Sequence, residues 1–163
     1  MSGAGKRRSR STPLRAALRD ESTLQAEIQD GLGALERPHR GMLDDVVKGT
    51  IADSLDLDEA MRPGRDRDNR WDYLLGHGPS GAVVALEPHS AHDKEVSVVI
   101  AKKQAARDQL RQHLESDRWV EKWLWVASGN VGFSPTGKAI RRLDQRGIEF
   151  VGRKVLAKHL KDL

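Results

Sequence analysis

The segment from Trp71 to Ser128 constrains this chain most, because it alternates strand-type and helix-type patterns in a fixed order. Trp71-Asp72-Tyr73-Leu74-Leu75 and Ala82-Val83-Val84-Ala85-Leu86 are runs of aromatic, branched and small apolar residues, as strands require. Gly76-His77-Gly78-Pro79-Ser80-Gly81 separates them and predicts a hairpin-like connection. Ser90 or Asp93 can cap a helix that continues to about Leu114 on the stripe Val96, Val99, Ala106 and Leu110. Lys122–Ala127 predicts the next strand. Strand, strand, helix, strand is the pattern of a sheet with a crossover helix packed on it.

The flanks extend this order. Ser134-Pro135 predicts the start of a short helix, Gly147 its stop, and Ile148–Val151 a last strand. Upstream, Leu43, Val46, Val47, Ile51 and Leu55 fit one stripe of a helix. Leu14, Leu18, Leu24, Ile28, Leu32 and Leu35 suggest a further helix near residues 20–35, stopped by Pro38. The expected architecture is α/β. A domain spanning 40–163 has a mixed central sheet with helices on both sides, preceded by a helical arm at 13–38 and a basic, disordered tail at 1–12.

Composition narrows the function classes. The chain has 163 residues with 37% hydrophobic and 32% charged, and no apolar run approaches the ~20 residues that span a bilayer. No membrane role is expected. Basic residues near the N-terminus lack the apolar stretch of a secretory signal, and the absence of cysteine suits a reducing, cytoplasmic setting. The net charge of +4 hides segregation. Residues 1–19 carry six cations and no acid, and residues 42–60 carry six acids against Lys48. Residues 134–163 hold eight cations against three acids, among them Arg141, Arg142, Arg146, Arg153 and Lys154. Those five are expected to grip the phosphates of DNA.

Three polar residues interrupt the apolar pattern of the central segment. Alternate strand side chains share a face, so Glu87 and His89 project with Val83 and Ala85, and Asp72 projects with Leu74, opposite Trp71, Tyr73 and Leu75. If the strands pair, Asp72 and Glu87 meet near a common edge. Two carboxylates so placed repel unless a cation lies between them, and Mg²⁺ takes one or two carboxylates plus phosphate oxygens and waters. Lys103 falls on the buried stripe of the helix, where it needs a carboxylate or an escape to solvent. Facing Glu87, it could steady the charge developing on a phosphate. Lys102 does the same if the register shifts by one.

Together these residues resemble the PD-(D/E)xK restriction-endonuclease-like superfamily over about residues 42–128. Asp72 matches the family's aspartate, and Glu87-Pro88-His89 matches its Glu-x-Lys with His89 in the lysine's place. Some members carry the lysine on the following helix, where Lys103 stands. The resemblance implies catalytic Asp72, Glu87, His89 and Lys103, Mg²⁺ held by Asp72 and Glu87, and a DNA substrate or ligand.

Other readings compete. Asp72 could pair with Arg70, and Glu87 and His89 could simply cap the helix. Gly132 to Lys138 follows Gly-x4-Gly-Lys, but Ala139 replaces the residue that would touch Mg²⁺ and Pro135 removes a donor. His77, His89 and His92 with Glu87 offer zinc ligand types. Trp123 and Trp125 share a strand face, which favours core packing over base stacking. Two functions follow: an Mg²⁺-dependent nuclease-like protein that binds or cleaves DNA, or a non-enzymatic subunit that self-associates or binds a protein through residues 14–35.

Overall fold

Strand β3 (Tyr73–His77) and strand β4 (Val83–Ala91) form the expected hairpin, with Tyr73 opposite Leu86 and Gly76 opposite Val83. The structure is a computed structural model, and it describes residues 12–63, 70–134 and 137–163. Helix α5 (Val96–Leu110) then carries the chain back, and β5 (Val120–Val131) lies parallel to β4, with Glu87 opposite Trp125. Helix α6 (Lys138–Gln145) makes a second crossover to β6 (Ile148–Phe150), parallel to β5. Gly147, at φ +69°, takes the left-handed position that ends α6, as a glycine stop requires.

The sheet is larger than its sequence suggests. Strand β2 (Ile51–Asp56) runs antiparallel to β3, and the two-residue β1 (Gln29–Asp30) covers the edge of β2. Six strands in chain order make one mixed sheet among the described residues. The helix expected over Leu43–Leu55 is therefore corrected. Only α3 (Asp45–Lys48) is helical there, Gly49 caps it, and Val46 is 65% exposed. Asp53 and Leu55 share one face of this strand, a bulge between Ile51 and Asp53 turns Ile51 into the other core, and strand order prevails because β3 offers a partner edge.

Side chains from both sheet faces are buried, in two separate cores. One holds Leu74, Val83, Ala85, Trp123 and Trp125 under α5 and α6, with the stripe Val96, Val99, Ala106 and Leu110 buried as expected. The other holds Tyr73, Leu75, Val84, Leu86, Leu124 and Val126 under Leu35, Leu43, Val47 and Val155. Parallel strands covered on both faces need continuous apolar runs, which is what β4 and β5 supply.

The separate helical arm is also corrected. Residues 13–38 form α1 (Pro13–Ala17), a 3₁₀ turn at Thr23–Glu27 and β1, while α2 (Arg37–Arg40) follows. Leu14, Ala17, Leu18, Leu24 and Ile28 lie in the first core and Leu35 in the second. An apolar stripe already buried in its own domain leaves no free face, so the motive for a partner-binding arm is gone. The expected disorder of the basic tail concerns residues that, apart from Thr12, lie outside the described ones. No helix among the described residues is long and apolar enough to cross a membrane.

Asp53 fastens this N-terminal segment to the sheet. Its fully buried carboxylate accepts the backbone N–H of Leu14 at 3.2 and 3.1 Å and of Arg15 at 3.3 Å. Gly76 lies directly opposite on β3, and a Cβ there would fall on the Asp53 carboxylate. Gly76→Ala should therefore cost about 3 kcal/mol through overpacking and disturbed hydrogen bonds. Urea denaturation checks this; a loss no larger than that of a Gly129→Ala control, where an added Cβ meets open space, would refute the contact.

Candidate metal and phosphate site

Asp72 stands one residue before β3, where the strand pattern has not yet begun. This explains a second departure from simple alternation. Trp71 packs in the same core as Leu74, edge-on to Trp123 with centroids 5.0 Å apart, rather than on the opposite face. The Asp72 carbonyl accepts N–H groups from Leu57 and Asp58, at 2.8 and 3.3 Å, so its backbone is clamped by the start of α4 (Leu57–Met61). On the other side its own N–H donates to Glu87 Oε1 at 2.9 Å. The Asp72 main chain therefore abuts the Glu87 carboxylate, just before β3 begins.

Glu87 is fully buried on the α5 face of β4. A buried carboxylate must be hydrogen-bonded and paired. Its cation is Lys102, whose Nζ lies 2.6 Å from Oε2. His89 stands beside it, Nδ1 3.4 Å from Glu87 Oε2 and Nε2 2.9 Å from Glu95 Oε2. Hydrogen bonding to Glu87 raises the His89 pKa against the opposing effect of burial, and the bond to Glu95 adds to it. The imidazolium thus stays charged to higher pH. Trp125 steadies the same segment by donating its Nε1–H to the His89 carbonyl at 3.1 Å.

Asp72 is the carboxylate left over. Burial first, and the charge of Glu87 second, push its pKa up to about 7, with Lys102 opposing and Asp58 and Asp56 adding. No described residue donates a hydrogen bond to its carboxylate. Arg70, the competitor for Asp72, places Nε 2.7 Å from Asp58 Oδ1. The reading of Glu87 and His89 as helix caps also fails: Glu87 is engaged by Lys102, and neither the 3₁₀ turn Asp93–Glu95 nor α5 has a side-chain N-cap bond.

Lys103 does not reach Glu87. Its Nζ donates to the Arg146 carbonyl and lies 5.5 Å above the Trp123 ring. Lys102 takes the role assigned to it. Glu95 was not foreseen at all: it follows the turn after β4, where no periodic pattern links it to His89. Of the proposed phosphate grips, Arg141 and Arg142 are exposed on α6, and Arg142 Nη2 donates to Ser97 Oγ near the start of α5. Arg153 and Lys154 are exposed just beyond the C-terminal end of β6, the same sheet end as His89. Arg146 lies at the far end of α6.

The groups that could hold a hard divalent cation here are the Asp72 carboxyl and Glu87, the latter already engaged by Lys102, His89 and the Asp72 N–H. Both offer oxygen donors, burial and Glu87 disfavour the Asp72 carboxylate unless a cation joins it, and Mg²⁺ would complete its shell with waters and phosphate oxygens. Among the described residues no group of three or more His, Cys, Asp or Glu is placed to hold a metal ion. The zinc set is not assembled either: His77 bonds Ser80 at the hairpin turn, at the opposite end of the strands from His89. Lys138 of the glycine-lysine pattern opens α6, with Pro135 and Thr136 outside the described residues. Comparison with protein-family models, curated proteins and solved structures finds no match to this chain.

Proposed function

We propose that the protein is a divalent-metal-dependent nuclease-like protein that acts on DNA. One observation carries the reading: the buried Glu87 carboxylate accepts the Asp72 N–H at 2.9 Å, its charge helps raise the neighbouring Asp72 carboxyl, and Lys102 reaches Glu87 from the crossover helix at 2.6 Å. This is the arrangement that the resemblance to the PD-(D/E)xK superfamily calls for, with the lysine moved to the helix. Mg²⁺, when bound, supplies a Lewis acid for the scissile phosphate and an activated water. Asp72 and Glu87 would hold it. Lys102 orients Glu87 and presents its remaining N–H donors where phosphate charge develops. His89, itself held by Glu95, fixes the direction of the Glu87 carboxylate. The exposed Arg141, Arg142, Arg153 and Lys154 bring phosphates to this end of the sheet.

Plasmid nicking with Mg²⁺ or Mn²⁺ tests the reading. Wild type should nick, and Glu87→Gln should lose at least about a hundredfold in rate, in line with loss of a group that stabilises transition-state charge. Equal nicking by both would contradict it. Because Asp72 must be ionised to hold a cation, and its pKa is about 7, activity should be low at pH 6 and climb through pH 7 to a plateau near pH 8. A profile flat across that interval would separate Asp72 from the reaction.

A further inference from the structure

A second feature lies at the opposite end of the sheet. A cleft of about 630 Å³ opens beside the start of β5 and the end of α5. Five cations line it, Arg19, Lys103, Arg107, Arg111 and Arg118, against the two carboxylates of Glu115 and Glu121. Trp119 stands at its wall and is 62% exposed, whereas Trp123 and Trp125 are buried. Glu87 pairs with Trp125, six residues along the chain from Trp119, so this cleft lies roughly 20 Å from the carboxylate site. It is not an extension of that site.

We propose that this cleft binds single-stranded nucleic acid, with a base stacked on Trp119 and the flanking phosphates held by Arg107, Arg111 and Arg118. An exposed indole beside a cluster of guanidiniums is the combination by which single strands are held: the ring accepts the flat face of any base and the cations take the backbone. The positive charge is concentrated. Burial, with Arg107 adding, pulls Lys103 below the ordinary amine range, while its ammonium is satisfied by the Arg146 carbonyl and the Trp123 ring. Arg111 approaches Asp108 at 3.8 Å with both side chains largely in solvent, a pair worth little, so its guanidinium is available to a ligand. A stacked duplex hides the base faces that Trp119 would meet, which selects a single strand. The binding is sequence-tolerant, since the stacking face does not distinguish bases by hydrogen bonds.

Fluorescence anisotropy with a labelled twelve-residue oligothymidylate, in EDTA so that no cleavage intervenes, tests this. Trp119→Ala should weaken binding roughly tenfold, and Trp119→Phe should retain most of it. Arg107→Ala with Arg111→Ala should lower the slope of log affinity against log salt by about 1.4, at roughly 0.7 per single-strand phosphate contact. Trp119 is exposed, so the circular dichroism of its variants should match wild type. Unchanged affinity in Trp119→Ala would overturn the proposal, as would polyglutamate or heparin competing as well as the unlabelled oligonucleotide. Glu87→Gln should bind the oligonucleotide like wild type. Failure of metal-dependent nicking with this binding intact would sink the nuclease reading and leave the cleft standing.

Discussion

Lys102→Met is expected to destabilise the protein by about 3–5 kcal/mol, the usual penalty for leaving a buried charge without its partner. Glu87 is fully buried and Lys102 Nζ is its closest cation, at 2.6 Å. Lys103→Met removes an ammonium over Trp123 and one bond to a carbonyl, and should cost about 1 kcal/mol. The contrast between adjacent lysines is the point. The double variant Glu87→Gln with Lys102→Met should recover part of the loss, because it removes the stranded charge as well. Chemical denaturation measures all four proteins. Equal costs for the two lysines would mean that the Glu87–Lys102 pair does not hold the site.

Asp72→Asn is expected to do the opposite and stabilise the protein above pH 7, by up to about 4 kcal/mol. The sign follows from the raised carboxyl. The unfolded chain releases this proton near pH 4, and the folded chain near pH 7. Between these values the folded state binds more protons, so stability falls as pH rises, and above pH 7 the whole penalty is present. Asparagine removes the charge that burial and Glu87 oppose, and with it the penalty. Thermal unfolding at pH 5 and pH 8 checks this: the variant's advantage should be larger at pH 8. A residue that costs stability where it stands is expected at a functional site rather than in a structural ion pair. A destabilised Asp72→Asn at pH 8 would make Asp72 structural.

The central hairpin, α5 and β5 were readable because their apolar runs are bounded by glycine, proline and capping residues, and because parallel strands buried on both faces leave long unbroken runs. The flanks were not. Val47, Ile51 and Leu55 are spaced by four as in a helix, and only the edge of β3 turns Ile51–Asp56 into a strand. Leu14 to Leu35 has helical spacing, yet it is folded into α1, a 3₁₀ turn and β1, because each leucine finds its own place in the two cores. Local pattern cannot show such tertiary decisions. The choice between the lysines has a geometric cause: three and four residues after Val99 lie about 60° to one side of it and about 40° to the other. Both flank the buried stripe. Which one meets Glu87 depends on how α5 lies across the sheet, and that is set by packing.

Calorimetric titration with Mn²⁺ at pH 8 tests the central claim most directly, since it reads the cation site without needing a substrate. Wild type should bind one ion, binding should weaken as pH falls through 7 with proton release in that interval, and Asp72→Asn and Glu87→Gln should each abolish it. Binding that survives both substitutions, or no binding by the wild type, would contradict the assignment of Asp72 and Glu87 as metal ligands.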